Sequence, residues 1–361
     1  MRFPDFEGEW EKCKLGDVCN TSTGNKNTQD KIDDGIYPFY VRSQTVERVN
    51  SWTFDGEAIL TAGDGVGVGK VFHHTYGKIG VHQRVYILSN FKCDANYLFH
   101  FFSSKFYNRV KRMSAKNSVD SVRKEMITDM PLSLPCHKEQ VKIGRLLTLL
   151  DERIATQNKI IEDLKKLKCA IIEKVYSEIQ GKEYSYRQLF DVVNERNKQI
   201  EYFNILSASQ EKGMVNRDDL NLDIQFERSN INTYKIVKKG DYVIHLRSFQ
   251  GGFAFSDKLG VCSPAYTILR PNSILEYGYL SNYFTSQRFI KSLVLVTYGI
   301  RDGRSINVDE WLRMKITIPP KEHQQYIVKV IGTFERKIED EEAYAAHLSK
   351  QKQYLLRQMF I

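Results

Sequence analysis

The residues that come closest to a nucleotide-binding motif lie in the glycine-rich stretch TAGDGVGVGKVF, which begins at Thr61. A phosphate-binding loop needs glycine where Asp64 stands, and it needs Ser or Thr where Val71 follows Lys70. The dinucleotide-binding pattern fails as well, because its third glycine would coincide with Lys70. We interpret the stretch as a glycine-rich hairpin in which Lys70 faces phosphate or water.

Other catalytic and metal-binding patterns are also missing from the sequence. His73 and His74 have no third metal ligand nearby, which favours a surface loop over a metal site. An N-P-P-[YF] or D-P-P-[YF] tetrapeptide, which would hold a flipped base for amino methylation, does not occur. No Ser–His–Asp or Cys–His arrangement stands out, and the six cysteines lack any paired spacing. We therefore predict no catalytic residue, no metal site and no cofactor bound by this chain.

Basic side chains that could read base edges are concentrated in two stretches of a chain whose net charge is +9. Residues 65–136 contain 11 basic and four acidic side chains, and residues 228–304 contain the same numbers. A solvated surface is the ordinary interpretation of a charge cluster, but two such stretches favour two phosphate-binding faces. Arginine suits guanine, and Asn or Gln suits adenine, through paired hydrogen bonds. The predicted DNA-binding residues are Arg42, Ser43, Gln44, Lys70, His82, Gln83, Arg84, Lys116, Asn117, Arg123, Ser207, Arg247, Ser248, Gln250, Arg301 and Arg304.

The elements that must position these residues occur twice, in the same order. MPLSLPCHKEQVKIGRLLTLLDERI from Met130 aligns without a gap to MKITIPPKEHQQYIVKVIGTFERKI from Met314, an offset of 184 residues. Further upstream, GVHQRVYIL from Gly80 resembles GVCSPAYTIL from Gly260. We therefore predict a tandem duplication of a globular part followed by a helix. The predicted boundaries are 1–136, 137–180, 181–320 and 321–361.

Each globular part combines strand and helix patterns, which predicts a mixed α/β (α+β) fold. The β-branched or alternating stretches YPFYVRS, EAILTAG, GKIGVHQRVYIL, KGDYVIHLRS and GVCSPAYTILR each predict a strand. Two stretches predict amphipathic helices: NYLFHFFSSKFYNRVKRM from Asn96 and YLSNYFTSQRFIKSLV from Tyr279.

The segment from His137 to Gln180 has no proline and only one glycine, Gly144. Its apolar residues recur at steps of three, four and seven, which is typical of a coiled-coil seam, and the second copy repeats them. A 40-residue helix would be roughly 60 Å long. The predicted seam residues of the two helices are Leu147, Leu150, Ile154, Leu164, Ile171, Ile331, Phe334, Ile338, Leu348 and Leu355.

Both seams are interrupted by polar residues at the same places, Gln157 with Glu341 and Lys168 with Lys352. Each helix could pack separately on its own globular part. The coinciding interruptions instead favour the two helices pairing with each other, as an antiparallel coiled coil. Such a pair would relate the two halves by an approximate two-fold axis.

The doubled order resembles the specificity subunit of Type I restriction–modification systems, a bacterial defence. The resemblance rests on two long helices, each entered through a proline-led, Gln-containing turn: MPLSLPCHKEQ at Met130 and MKITIPPKEHQQ at Met314. The half-domain endings SVRKEMITDMPLSLP and SINVDEWLRMKITIP, and the strand GKIGVHQRVYIL, are similar to the family as well. The resemblance implies a non-catalytic DNA reader with two target-recognition domains, each bound to one half of a bipartite, asymmetric target.

The resemblance also implies that the helix pair sets the half-site spacing and docks two methyltransferase (modification) subunits. Those partners would bring S-adenosylmethionine, and restriction subunits could add ATP and magnesium. Three alternatives stay open: a modification-only system, a helical scaffold with incidental DNA affinity, and an enzyme in its own right. The sequence has no 18-residue apolar run, and its first residues are acidic where a secretion signal needs an apolar stretch. The six cysteines also show no disulfide pattern, so we expect a protein of a reduced, cytoplasmic compartment.

Overall fold

The contacts of the chain divide it into two compact units. The computed structural model describes residues 2–113, 121–209, 212–219, 228–245, 252–298 and 305–360. Unit 1 consists of Met1–Asn158 and Ala343–Ile361, and unit 2 consists of Lys159–Glu342. The two boundaries fall at equivalent positions of the repeat, because Asn158 and Glu342 are 184 residues apart. Each unit therefore combines one globular part with a portion of each long helix.

Unit 1 contains a six-stranded sheet and a separate pair of strands. The strands are β1 (Glu11–Lys14), β2 (Asn20–Thr23), β3 (Tyr37–Tyr40), β4 (Val46–Val49), β5 (Phe54–Ala62), β6 (Phe72–Val81), β7 (Val85–Ser89) and β8 (Pro131–Leu134). The helices are α1 (Leu15–Val18), α2 (Ala95–Met113), α3 (Lys124–Thr128) and the start of α4 (His137–Ser177). The sheet order is β2-β7-β5-β6-β3-β4, and β1 pairs with β8. Within the sheet, β3 and β6 are parallel and the other pairs are antiparallel.

The sheet of unit 1 is buried on both faces because successive side chains of a strand point to opposite sides. On β5, Ile59 packs into the cluster that contains Phe102 and Phe106 of α2. Its neighbours Ala58 and Leu60 pack into the second cluster, on the other face. The near-continuous apolar run of this strand follows from that double burial.

Unit 2 has a four-stranded sheet and several two-stranded pairs. Its strands are β9 (Lys182–Ser185), β10 (Phe190–Val193), β11 (Leu206–Ser209), β12 (Gly213–Asn216), β13 (Lys235–Val237), β14 (Tyr242–Ile244), β15 (Phe253–Phe255), β16 (Gly260–Cys262), β17 (Thr267–Pro271), β18 (Thr297–Tyr298), β19 (Ser305–Ile306) and β20 (Lys315–Ile318). Its helices are the end of α4, then α5 (Tyr186–Leu189), α6 (Gln287–Ser292), α7 (Val308–Arg313) and the start of α8 (Lys321–Met359). The sheet order is β10-β17-β14-β15, and β9 pairs with β20 as β1 does with β8. The core centres on Trp311, whose ring stacks on that of Tyr186 at 4.2 Å.

Two predicted single strands are each divided by a turn. GKIGVHQRVYIL forms the end of β6 and then β7, with a turn closed by the hydrogen bond from Val85 N to His82 O. GVCSPAYTILR forms β16 and β17, with Tyr266 N donating to Ser263 O in the turn. The prediction of one strand at each place was therefore wrong. The apolar pattern runs across both turns, since buried side chains lie before and after each one: Val81 and Val85 at the first, Cys262 and Ile268 at the second.

The helix predicted from Tyr279 is also interrupted. A 3-10 turn (Tyr283–Thr285) precedes α6, and a second 3-10 segment (Leu293–Val296) follows it. Ser286 adopts an extended backbone, and its hydroxyl accepts a hydrogen bond from Phe289 N at 3.2 Å. A serine in this arrangement starts a new helix, which explains why the amphipathic pattern is not one continuous helix. The prediction from Asn96 was right, because α2 is a single 19-residue helix.

A buried glutamine fixes the start of each long helix to its globular part. In unit 1 the Gln140 side chain accepts from Asp94 N at 3.0 Å and donates to Pro135 O at 2.8 Å. In unit 2 Gln324 accepts from Glu276 N at 2.8 Å and donates to Pro319 O at 2.9 Å. These are the glutamines of the two repeated turns, and each satisfies backbone groups that would otherwise be buried without partners.

The end of each long helix lies in a core. The ring of Phe360, just after α8, contacts Tyr97 and Phe101 of α2 within unit 1. Its equivalent in α4, Tyr176, contacts Tyr279 and Tyr283 within unit 2, and its hydroxyl donates to the Tyr279 carbonyl. Both helices therefore begin at one globular part and end in the core of the other unit.

The two helices run antiparallel within each unit. In unit 1, Asp151 bonds to Lys352, and the guanidinium of Arg153 lies 5.7 Å from the ring of Tyr344. In unit 2, Lys168 lies 3.1 Å from Glu335, and Lys165 lies 2.6 Å from Glu342. The predicted antiparallel pairing in a mixed α/β (α+β) fold is therefore confirmed.

The seam residues differ in their depth of burial. Leu147, Ile331, Ile338 and Leu348 are buried. The others are half-buried: Leu150, Ile154, Leu164, Ile171, Phe334 and Leu355. Polar Gln157 is buried among them, at 2% exposure. Across the described residues, no helix has the length and apolarity needed to cross a membrane.

We predict that Leu147→Ala lowers the free energy of unfolding by about 2–5 kcal/mol, because Leu147 is fully buried in the core of unit 1. Leu149→Ala is the matched control: Leu149 lies on the same helix but is 52% exposed, so its loss should cost no more than about 0.5 kcal/mol. Urea unfolding of the full chain measures both changes. Equal losses for the two variants would contradict the packing described above.

Candidate nucleic-acid interface

The glycine-rich stretch forms the turn of the β5–β6 hairpin. A 3-10 turn over Gly65–Gly67 is closed by Val68 N donating to Gly65 O at 3.2 Å. Lys70 N and Val71 N then donate to Gly67 O at 3.0 and 2.9 Å. Gly65 has a φ of +74°, a conformation that favours glycine. The hairpin expected from the sequence is therefore present, and its turn is held by backbone hydrogen bonds.

Asp64, the residue just before that turn, brings two predicted DNA-binding arginines together. Arg42 Nη1 donates to Asp64 Oδ1 at 2.9 Å, and Arg84 Nε lies 3.7 Å from Asp64 Oδ2. Both guanidinium groups are exposed, while the carboxylate between them is largely covered. The sequence had identified Asp64 only as a mismatch to a phosphate-binding loop. No local sequence pattern predicts that Asp64 pairs with two arginines, because Arg42 and Arg84 come from separate segments.

Glycines allow the backbones of these arginines to approach the turn. Gly63 N donates to Arg84 O at 2.7 Å, and a Cβ added at Gly67 would collide with the Arg42 carbonyl oxygen. Gly63 O in turn accepts from Val122 N at 2.7 Å, next to exposed Arg123. Arg42, Arg84 and Arg123 are therefore gathered around one turn, and we call Arg42, Asp64, Arg84 and the Gly65–Gly67 turn the arginine cluster.

Lys70 follows the same turn and points toward helix α2. Its ammonium nitrogen lies 5.7 Å from the ring centroid of Tyr107, a cation–π arrangement, and the residue is exposed. A Cβ added at Gly69 would collide with Tyr107, so the turn lies directly against the helix. Lys70 adds a third positive charge next to the arginine cluster.

His82 and Gln83 have different environments. His82 is buried, and its Nδ1 accepts from Arg84 N at 3.0 Å. Burial lowers the pKa of His82, and the positive charge of Arg42 lowers it further, so the ring is neutral and positions the Arg84 backbone. Gln83 is exposed, and its amide donates to Asn27 Oδ1 at 2.6 Å. Asn27 was missed because it lies 56 residues before Gln83 in the chain, and no sequence pattern links the two.

Ser43 and Gln44 lie exposed after β3, next to Arg42. The Ser43 hydroxyl donates to Thr45 O at 3.3 Å, and the Ser43 carbonyl is 3.3 Å from His73 Nε2. His73 and His74 lie within β6, paired with Leu60 and Ile59, so the surface-loop interpretation was wrong. Both histidines therefore belong to a strand of the β5–β6 hairpin and not to its glycine-rich turn.

Unit 2 shows less of the predicted interface. Ser207 lies in β11, half-buried and paired with Val215. Cys262 occupies the position equivalent to His82 and is fully buried. The other predicted residues, with two from unit 1, lie outside the described residues: Lys116, Asn117, Arg247, Ser248, Gln250, Arg301 and Arg304.

The arginine of unit 2 that the structure ties most firmly is Arg270. Its guanidinium bonds to buried Asp241 at 2.9 Å and to Glu195 at 2.9 Å. The hydrogen bond to Asp241 has the largest effect and raises the pKa of Arg270. Burial lowers the pKa, but the bond to Glu195 raises it again, so that the pKa lies above its ordinary value. We interpret this arginine as part of the packing of unit 2, since both of its partners are carboxylates of the same unit.

The described residues contain no group of three His, Cys, Asp or Glu side chains able to hold a metal ion. The arrangement that they do contain is a rigid turn flanked by exposed guanidinium groups. Guanidinium groups bind phosphate oxygens and the O6/N7 edge of guanine through paired hydrogen bonds. The chemistry available at this surface is therefore recognition of an anion or of base edges.

Known proteins share both the sequence pattern and the fold. The profile of the family "Type I restriction modification DNA specificity domain" matches residues 7–166 and again residues 181–348. The chain is 27% identical over 168 residues to the Type I restriction enzyme EcoDI specificity subunit of Escherichia coli. That alignment covers 45% of this chain and 37% of the relative.

A second relative comes from an archaeon. The chain is 28% identical over 191 residues to the Type I restriction enzyme MjaVIII specificity subunit of Methanocaldococcus jannaschii. The alignment covers 49% of this chain and 43% of that protein. The matches thus span less than half the length of these two curated relatives.

Two solved structures have the same fold. The S subunit of a Type I restriction-modification system from M. genitalium aligns with a TM-score of 0.64 at 14% identity, covering 100% of this chain and 99% of that one. A structure described under complex assembly and conformational transition of the type I R-M system aligns with a TM-score of 0.58 at 13% identity, covering 98% and 97%. With two profile matches over most of its length, this chain belongs to the Type I restriction modification DNA specificity domain family.

Proposed function

We propose that this chain is the non-catalytic DNA-specificity subunit of a Type I restriction–modification complex. Each globular part would act as a target-recognition domain for one half of a bipartite, asymmetric DNA target. The observation that carries the proposal is the doubled match to a DNA specificity domain, with the same buried glutamine at the start of each helix. A chain with a single target-recognition domain would not need two equivalent junctions between a globular part and a long helix.

The arginine cluster supports DNA as the ligand of unit 1. Arg42 and Arg84 are braced by one carboxylate, so binding a phosphate or a guanine would cost little side-chain entropy. The hydrogen bond of Arg42 and the ion pair of Arg84 each involve one guanidinium nitrogen, so other nitrogens can donate to a ligand. The equivalent segments GVHQRVYIL and GVCSPAYTIL differ in sequence, which supports different half-targets for the two units.

The helix pair supports two copies of one partner. Ile160 and Tyr344 are equivalent in the repeat, and both are exposed apolar side chains on the long helices. Equivalent apolar residues on both helices fit two methyltransferase (modification) subunits docked in the same way. Those subunits would carry S-adenosylmethionine, and restriction subunits, where present, would bring ATP and magnesium. We place the complex in the cytoplasm, with its DNA.

Genome-wide methylation mapping, in cells with and without this chain, tests the proposal. We expect a bipartite methylated motif that disappears when the chain is removed and returns when it is supplied again. A motif that persists without the chain would contradict the specificity role. Methylation or cleavage by the purified chain alone, given S-adenosylmethionine or magnesium, would instead indicate an enzyme.

We predict that replacing Arg42 and Arg84 together by Gln weakens DNA binding and reduces its salt dependence. Each phosphate contact contributes about 0.9 to the slope of log K against log salt, so losing two contacts should reduce the slope by roughly 1.8. If either arginine reads a base instead, preference for that base should fall by about 1–3 kcal/mol. Arg187→Gln, an exposed arginine of unit 2 paired with Asp309, is the control. An unchanged slope together with unchanged base preference would contradict the interface.

We predict that lengthening both helices by seven residues lengthens the spacer of the target without changing either half-target. Insertions between Asn158 and Lys159 and between Glu342 and Ala343 are equivalent in the repeat and preserve the heptad seam. Seven residues add about 10.5 Å, which corresponds to roughly three base pairs.

The motif methylated in cells that carry the variant provides the measurement. The same insertion in α4 alone is the control, because it leaves the two seams unequal and should reduce methylation at every spacing. If the variant with both insertions still methylates a motif with the original spacer, the helix pair does not set the distance between the two half-targets.

A further inference from the structure

We propose that Val66, at the tip of the glycine-rich turn, determines specificity by contacting the 5-methyl group of a thymine in the first half-target. This inference rests on the proposed function, because it requires DNA to be the ligand of unit 1. It assigns a base-reading role to an apolar residue outside the polar and charged set that the sequence suggested. The reasons are the exposure of Val66, the rigidity of its turn and the charges that surround it.

The exposure of Val66 is unusual for an apolar side chain. At 96% it is the most exposed large hydrophobic residue among the described residues. Single exposed apolar residues are common on protein surfaces, so exposure alone indicates nothing. Here, however, the side chain projects from a turn whose other members are glycines, so neighbouring side chains do not cover it.

The turn holds Val66 in one position. Gly65 takes a φ of +74°, and its carbonyl accepts from Val68 N. On the other side, Gly67 O accepts two backbone N–H groups, and Gly67 itself packs against the Arg42 carbonyl. A valine that needs only one rotatable side-chain bond, on a turn fixed at both ends, loses little entropy when it meets a ligand. A side chain that contacts a ligand is expected to have these properties, whereas a side chain in a flexible loop is not.

The charges around Val66 indicate what would cover it. Asp64 is two residues before Val66 and holds both Arg42 and Arg84, and exposed Lys70 follows four residues after. An apolar tip on a turn flanked by two exposed arginines and an exposed lysine fits an anionic polymer better than an apolar protein surface. On DNA, thymine alone presents a methyl group in the major groove, and valine has no donor or acceptor for the other base edges. The chemistry therefore matches thymine, with the neighbouring guanidinium groups on phosphates or guanines.

The test compares thymine with uracil, which lacks only the methyl group. Duplexes are first selected from a randomised pool by the full chain, together with any modification subunit that copurifies with it. Each thymine of the selected half-target, on either strand, is then replaced singly by uracil, and affinity is measured for the wild-type chain and for Val66→Ser. Val192→Ser is the control, since Val192 is also exposed, at 52%, but lies in unit 2.

We expect one uracil position to weaken wild-type binding about fourfold, the value for burying one methyl-sized group. With Val66→Ser that position should lose its preference, so thymine and uracil bind alike, while the other positions and the Val192→Ser variant keep the wild-type pattern. If Val66→Ser retains the preference, or weakens all duplexes equally, Val66 does not read a methyl group. If no duplex is enriched at all, the proposed function fails instead, and the two failures are thereby distinguished.

Discussion

The insertion of each helix end into a globular core is the constraint on which the rest of this structure depends. Phe360 lies between Tyr97 and Phe101 in unit 1, and Tyr176 lies against Tyr279 and its neighbours in unit 2. A helix of about 40 residues cannot bury its apolar stripe alone, so it needs the second helix and both cores. Each unit therefore buries a portion of both helices, which explains why both unit boundaries cut through the helices.

The polar positions of the seam set the register of the pair. Lys168 with Glu335 and Lys352 with Asp151 are equivalent ion pairs in the repeat, one in each unit. Because all four side chains are partly exposed, each pair contributes only up to about 1 kcal/mol. Sliding one helix by a turn would separate both lysines from their carboxylates, whereas the apolar contacts alone would tolerate other alignments. These residues therefore favour one arrangement rather than adding much stability.

The candidate DNA interface depends on a different kind of constraint. Less exposed groups hold the exposed arginines in place. Asp64 pairs with the side chains of Arg42 and Arg84, and neutral His82 accepts a hydrogen bond from the Arg84 backbone. Burial favours the neutral form of His82, so its Nδ1 can accept the N–H that fixes the loop. Preorganisation of this kind reduces the entropy lost on binding. Our proposals for the arginine cluster and for Val66 both start from this rigidity.

The sequence by itself determined the duplication, the two long helices, their antiparallel pairing and the family. These properties depend on apolar residues that recur at regular spacing and on motifs that recur in the same order. Both can be read directly from the linear sequence. Only the tertiary structure decided where the strands turn, where Ser286 starts a new helix, and that Asp64 joins Arg42 to Arg84. Such contacts join residues that are far apart in the chain or depend on local capping, and apolar periodicity continues through them unchanged. A carboxylate between two distant arginines is therefore identified only once the chain is folded.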